Sequence, residues 1–242
     1  ELEIADQLVV YPKVVPLTAL GLPSRRPFGD LQTQRRVVED PLRPVGVRAY
    51  APGDSFRHIH WKATAHRQAL QTKVFDPSAS RPLAIFLNIN TREHLYEGID
   101  ADLQEYAITA AASLARWAWE NGHAVAQSSA QRMRIRPRSH PEQLVTILEA
   151  LARVITYGRW RIEQVLRAEA PHLPGGATIV VVTAMLNDAL RRTLLDLRSR
   201  EFGVVVVALG EAAQNPRLRG VQYYSIGGRE EWHDLAALAL AE

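Results

Sequence analysis

Residues 82–88 read Pro82-Leu83-Ala84-Ile85-Phe86-Leu87-Asn88, five apolar side chains in a row between a proline and an amide. A strand with one face in water alternates apolar and polar residues. An unbroken run marks a strand covered on both faces, the habit of parallel sheets in α/β domains. The residues downstream fit that reading. Leu103, Tyr106, Ala107, Ala110, Leu114 and Trp117 recur with the helical period and predict a helix over 101–121, which Gly122 ends. Further strands are predicted near 124–127, 132–136, 177–183, 204–209 and 221–226. Helices are predicted near 141–154, 159–170, 188–200 and from Glu230 onward. Strands alternating with amphipathic helices give an α/β fold, with a mostly parallel central sheet flanked by helices over residues 80–242.

Upstream the pattern differs. Leu8-Val9-Val10-Tyr11 predicts a strand before Pro12, with Leu2 and Ile4 in an earlier one, and the Pro-, Gly- and Arg-rich residues 18–34 predict a loop. Val45, Val47 and Ala49 alternate with Gly46 and Arg48 in a strand, and 70–75 predict another. Between them runs RAYAPGDSFRHIHWKATAHRQAL, Arg48 to Leu70. Pro52-Gly53 signals a turn, because proline presets φ and glycine accepts a positive one. Asp54 is placed to cap a helix and to pair with Arg57 or Arg48, with Phe56, Ile59, His60 and Ala63 on the helix's buried face and Trp61 as a docked anchor. Residues 1–79 are thus expected to form an N-terminal extension rich in strands with one helical segment.

Composition narrows the chemistry. The chain has 242 residues, 47% hydrophobic and 23% charged, with a formal net charge of +3. It has no cysteine, which excludes disulfides, thiolate nucleophiles and thiolate metal sites. No window approaches the roughly 20 apolar residues of a membrane helix. The chain opens at Glu1 without a signal peptide and is read as a soluble fragment of a longer protein.

The spacing Gly46-x-Arg48-x-Tyr50-x-Pro52-Gly53-Asp54-x-x-Arg57-x-Ile59-x-Trp61-Lys62-x-Thr64-Ala65 resembles the signature of the bacterial domain-of-unknown-function family 58. The usual arginine after the last alanine is His66 here. The resemblance implies a von Willebrand factor A-like domain over 80–242. It also implies a MoxR-type AAA+ ATPase as partner and a membrane segment outside this sequence, at the cytosolic face of the bacterial inner membrane. Arg48, Asp54, Arg57, Trp61 and Lys62 form the signature cluster. In it Asp54 and Arg57 fix the turn, Trp61 docks it, and Arg48 and Lys62 face a partner.

By the same resemblance the loop after the first buried strand corresponds to the Asp-x-Ser-x-Ser of a metal-ion-dependent adhesion site. The residues there are Asn88, Asn90 and Arg92, and the position of a second metal aspartate, after Thr183, is Ala184. A hard cation prefers carboxylate and hydroxyl oxygens, and an arginine among them opposes it, so the site is expected to be degenerate and metal-free. Asp188 or Thr183 is the one route to weak binding. No cofactor is implied, since the 88–92 loop has no glycine to bring the backbone close to a phosphate.

Other constellations carry less. His58, His60 and His66 lack the i, i+4 spacing of a helical zinc pair and read as surface imidazoles. A hydrolase using them is the rival reading, although Gly-x-Ser-x-Gly and His-Glu-x-x-His are absent. Arg132, Arg134, Arg136 and Arg138 alternate on a predicted edge strand, where charge blocks edge pairing. An anion-binding module is the reading that would use them. Nucleic acid is disfavoured, because no stacking aromatics interleave with the arginines. The reading that absorbs most of the sequence is a non-enzymatic interaction module, an adaptor or scaffold for the ATPase.

Overall fold

The computed structural model describes residues 8–17, 44–75, 82–129, 134–138, 142–155, 160–174, 176–210, 212 and 218–226. The chain divides into two compact units, Gln34–Ser80 and Glu1–Thr33 with Arg81–Glu242.

In the smaller unit β1 (Pro44–Ala49) pairs antiparallel with β2 (Gln71–Phe75), Arg48 opposite Thr72. The intervening residues are not one helix. Gly53 takes φ +105° in the expected turn, Phe56–His58 make a single 3-10 turn, and α1 spans only Trp61–Arg67. Ile59 between them is extended, bridges to Thr72 and is the buried residue of the segment. His60 N–H donates to the Gln71 carbonyl at 2.8 Å, so the chain reconnects to β2 just where helix was expected. α1 ends at Gln68, whose left-handed φ of +53° stops propagation.

The larger unit runs β3 (Leu83–Leu87), α2 (Ala101–Glu120), β4 (Val125–Ser129), β5 (Arg134–Arg138), α3 (Glu142–Ala152) and α4 (Ile162–Glu169). β6 (Thr178–Thr183), α5 (Asp188–Ser199), β7 (Gly203–Leu209) and β8 (Gln222–Ile226) follow. The sheet order is β5-β4-β3-β6-β7-β8, parallel throughout except β5, which is antiparallel to β4. Leu83, Ile85 and Leu87 point to the face covered by α2 and α3, while Ala84 and Phe86 point to that covered by α4 and α5. The unbroken apolar run is therefore the expected strand, buried on both sides.

α2 lies on the centre of the sheet because its buried stripe is small. Ala107, Ala110, Ala111, Ala112, Ala115 and Ala118 are all buried in the same core as β3 and β6. Short side chains let the helix approach the strands closely, and Asp100 caps its start by accepting from Leu103 N–H at 3.2 Å.

Two expectations are corrected. Residues 8–11 form no strand. Pro12 and Pro16 cannot donate to a ladder, and the segment instead packs Val14, Val15 and Leu17 onto the larger core, Val15 N–H donating to Ser113 Oγ at 3.0 Å. The first 33 residues accordingly group with the larger unit, whereas they were expected in the extension. The arginine strand, described over Arg134–Arg138, takes the expected edge position, which its Pro137 requires. Residues 2–4, 18–34, 132–133 and the helix from Glu230 lie outside the described residues.

A leucine at Ala111 has no room between α2 and the sheet. Ala111→Leu should destabilise the protein by about 1–3 kcal/mol, read as a lower urea midpoint.

Candidate functional site

The signature cluster is built on a bidentate pair. Arg48 Nη1 and Nη2 donate to Asp54 Oδ2 and Oδ1, each at 2.7 Å. Asp54 Oδ2 also accepts from Ala51 N–H at 2.9 Å and from Thr72 Oγ1 at 3.3 Å. Asp54 is therefore no helix cap. Two parallel charge-assisted bonds to a guanidinium outweigh one cap bond, and they clamp the Pro52-Gly53 turn onto the end of β1. The cap of α1 is His60, whose Nδ1 accepts from Ala63 N–H at 3.0 Å.

The remaining signature residues sort differently from expectation. Arg48 is engaged in the clamp and not held out for a partner. Arg57 has no ion pair among the described residues, so of the two arginines expected as partners of Asp54 it is Arg48 that fixes the turn. Trp61 is 68% exposed and Phe56 69%, so neither docks the segment. The Phe56 ring stacks on Tyr50 at 5.7 Å between centroids. A two-stranded hairpin with one short helix has too little apolar surface to cover three large side chains, and Ile59 takes the interior place. Lys62, His66 and Arg67 are exposed beside Trp61. Among the described residues, no group of three or more His, Asp or Glu side chains is placed to hold a metal.

The loops at the carboxyl edge of the larger sheet are closed by their own hydrogen bonds. Buried Asn88 donates from Nδ2 to Thr183 Oγ1 at 3.0 Å and accepts Asn90 N–H on Oδ1 at 3.2 Å. Thr183 Oγ–H goes to the Met185 carbonyl at 2.5 Å, and Met185 N–H returns to Thr183 Oγ1 at 3.2 Å. Ala184 is buried and has no ligand atom in its side chain. Arg92 is exposed, and Asp188 is exposed at the first position of α5, whose cap is Asn187. This set has no carboxylate among Asn88, Asn90, Thr183 and Ala184, and the amide nitrogen of Asn88 faces the hydroxyl. The residues do not fit a divalent cation.

Beside these loops lies a cleft of about 280 Å³, to which residues 160–163 and 93–96 contribute as well as 88–92. Sequence reasoning missed Tyr96, Trp160 and Glu163. They carry no local motif, and only the fold brings the start of α4 next to the loop after β3.

A sheet of five parallel strands with an antiparallel edge and helices on both faces is consistent with the von Willebrand A-like class. The family model described as Protein of unknown function DUF58 matches residues 46–213, more than half of the chain, and the chain belongs to that family. The uncharacterized protein YeaD of Bacillus subtilis (strain 168) is 33% identical over 78 residues, a stretch that covers 32% of this chain and 17% of that relative.

Two measurements follow from these contacts. The Arg48 guanidinium, then the Ala51 N–H, hold the Asp54 carboxyl down to about 2 from an ordinary value of 3.8. A depressed folded pKa means that the clamp's stabilisation is present above pH 3.8 and is lost as pH falls through about 2. The Asp54 side-chain carboxyl resonance should titrate near pH 2 by NMR, and Arg48→Met should move that midpoint upward. At the carboxyl end of β3, Asn88→Ala takes the acceptor from Asn90 N–H and one donor from Thr183 Oγ1, and should lower the unfolding free energy in urea by about 1–3 kcal/mol.

Proposed function

We propose that the chain is a non-enzymatic protein-interaction module, an adaptor or scaffold for a MoxR-type AAA+ ATPase that assembles or remodels a complex. The observation that carries this reading is the face of residues 56–67. Phe56 and Trp61 are more than two-thirds exposed on a segment held by the Arg48–Asp54 clamp. Arg57, Lys62, His66 and Arg67 are exposed on the same segment, and no acidic residue occurs from Ser55 to Phe75. Exposed aromatics beside arginine make the composition of interface hot spots, and a pre-ordered backbone reduces the ordering cost of association. The charge calls for a partner surface that is acidic around an apolar centre.

The identity of that partner rests on the family resemblance. So does the location, the cytosolic face of the bacterial inner membrane through a segment outside this sequence. Among the described residues no helix is long and apolar enough to cross a membrane.

The test is affinity capture of the membrane-anchored full-length protein with and without ATP, followed by mass spectrometry. Wild type should retain the AAA+ ATPase. Trp61→Ala/Lys62→Ala should lose it while keeping the wild-type circular dichroism and melting temperature. Equal recovery by both proteins would remove the 56–67 face from the contact, and absence of the ATPase from both would remove it as partner.

A further inference from the structure

The cleft beside the 88–92 loop stands where the sheet changes direction. β3 connects outward to β4 on one side, and its other neighbour β6 connects outward to β7 on the other. Loops leaving two such strands part from each other, and open α/β sheets bind ligands in the crevice between them. Asn88 and Asn90 follow β3, Met185 and Asn187 follow β6, and all four line the cleft.

Two acceptors in it lack donors. Glu163 is only 6% exposed, and its one ion pair among the described residues, to Arg161 Nη1, is 4.0 Å long, beyond hydrogen-bond reach. Asn90 Oδ1 is buried and accepts no hydrogen bond among the described residues. Glu163 lies in the first turn of α4, where the helix dipole offsets part of its charge but fills none of its lone pairs. The Glu163 carboxylate has no hydrogen-bond donor among the described residues, and Arg161, 63% exposed, is left to water. Trp160 and Tyr96 place aromatic rings on the same cleft, and ring faces attract cations.

We propose that this cleft receives the guanidinium or ammonium head of an arginine or lysine side chain presented by a partner polypeptide. Glu163 and Asn90 Oδ1 accept hydrogen bonds from that head, and Trp160 flanks it. The rim favours a polypeptide over a free cation. Arg92 lines the cleft with no ion pair or hydrogen bond among the described residues, and with Glu93 and Arg161 it gives the rim both signs of charge, which an isolated cation cannot answer. A polypeptide brings carbonyl oxygens or an acidic neighbour to satisfy Arg92. These residues belong to a different unit from the 56–67 face, so either surface can fail while the other binds.

The test is an NMR shift titration of the whole chain with acetylated, amidated pentapeptides that carry arginine, lysine or glutamine between paired glycines. The arginine or lysine peptide should bind at least about tenfold more tightly than the glutamine peptide, with shifts centred on residues 88–96 and 160–163. Glu163→Gln should abolish that preference, and Arg57→Ala should leave it intact. Should Glu163→Gln melt early, Asn90→Ala at wild-type melting temperature replaces it and should weaken the arginine peptide about threefold or more. Equal binding of the arginine, lysine and glutamine peptides, or an unchanged preference in a folded Glu163→Gln protein, would overturn the proposal. Ethylguanidinium binding as tightly as the arginine peptide would overturn the polypeptide as occupant.

Discussion

Burial of β3, β6 and β7 on both faces is the constraint from which the larger unit follows. Every side chain from Leu83 to Leu87, Thr178 to Thr183 and Gly203 to Leu209 is inside. Water is unavailable to the backbone of these strands, so their N–H and C=O groups must pair within the sheet. Parallel pairing then requires crossovers, and the crossovers are the helices that cover the two faces. The same burial leaves the strand ends as the places where polar chemistry meets solvent. Asn88, Thr183 and the cleft beside them are at such ends because nothing in the middle of the sheet can reach a ligand.

How much of this was legible depended on the range over which the deciding interaction acts. The buried strands and α2 were legible because an apolar run and a helical period are local patterns that tertiary packing reinforces. The end of α2 at Gly122 was legible for the same reason, whereas the Asp100 cap came only with the structure. The strand at 8–11 failed where two prolines removed donors and α2 offered an apolar surface in place of a strand edge. At Asp54 the cap gave way to the pairing with Arg48 that the sequence also offered. The guanidinium six residues upstream, brought round by the turn, offers two charged donors at once. Ile59 likewise left the helix because β2 lay close enough to bridge.

Trp61 shows a different limit. Side-chain size predicts that a tryptophan anchors something, but it does not say whether the thing anchored belongs to the same chain. In a unit whose described structure is two strands, a 3-10 turn and one short helix, Ile59 is the buried apolar side chain among the described residues. The cleft was illegible for a topological reason. Glu163 gains its position only when the fourth helix of the chain is laid beside the loop of the third strand, an arrangement no spacing in the sequence encodes.

The amide at position 88 does more for its loop than a carboxylate could. A carboxylate can only accept, so a loop built on one needs an external positive charge or several donors to hold it still. Asn88 supplies both functions. Its Nδ2 donates to Thr183 across two adjacent strands, and its Oδ1 gathers in Asn90 N–H. Thr183, with one lone pair taken by Asn88, turns its hydroxyl proton to Met185 O and so ties the loop after β6 into the same network. Gln104 Nε2 on the Ile89 carbonyl and Thr91 Oγ1 on Asp100 N–H secure the far side. The loop is thus held by its own side chains. Asn90 is pre-positioned at the cleft on this framework, and a partner that binds there need not order the loop first.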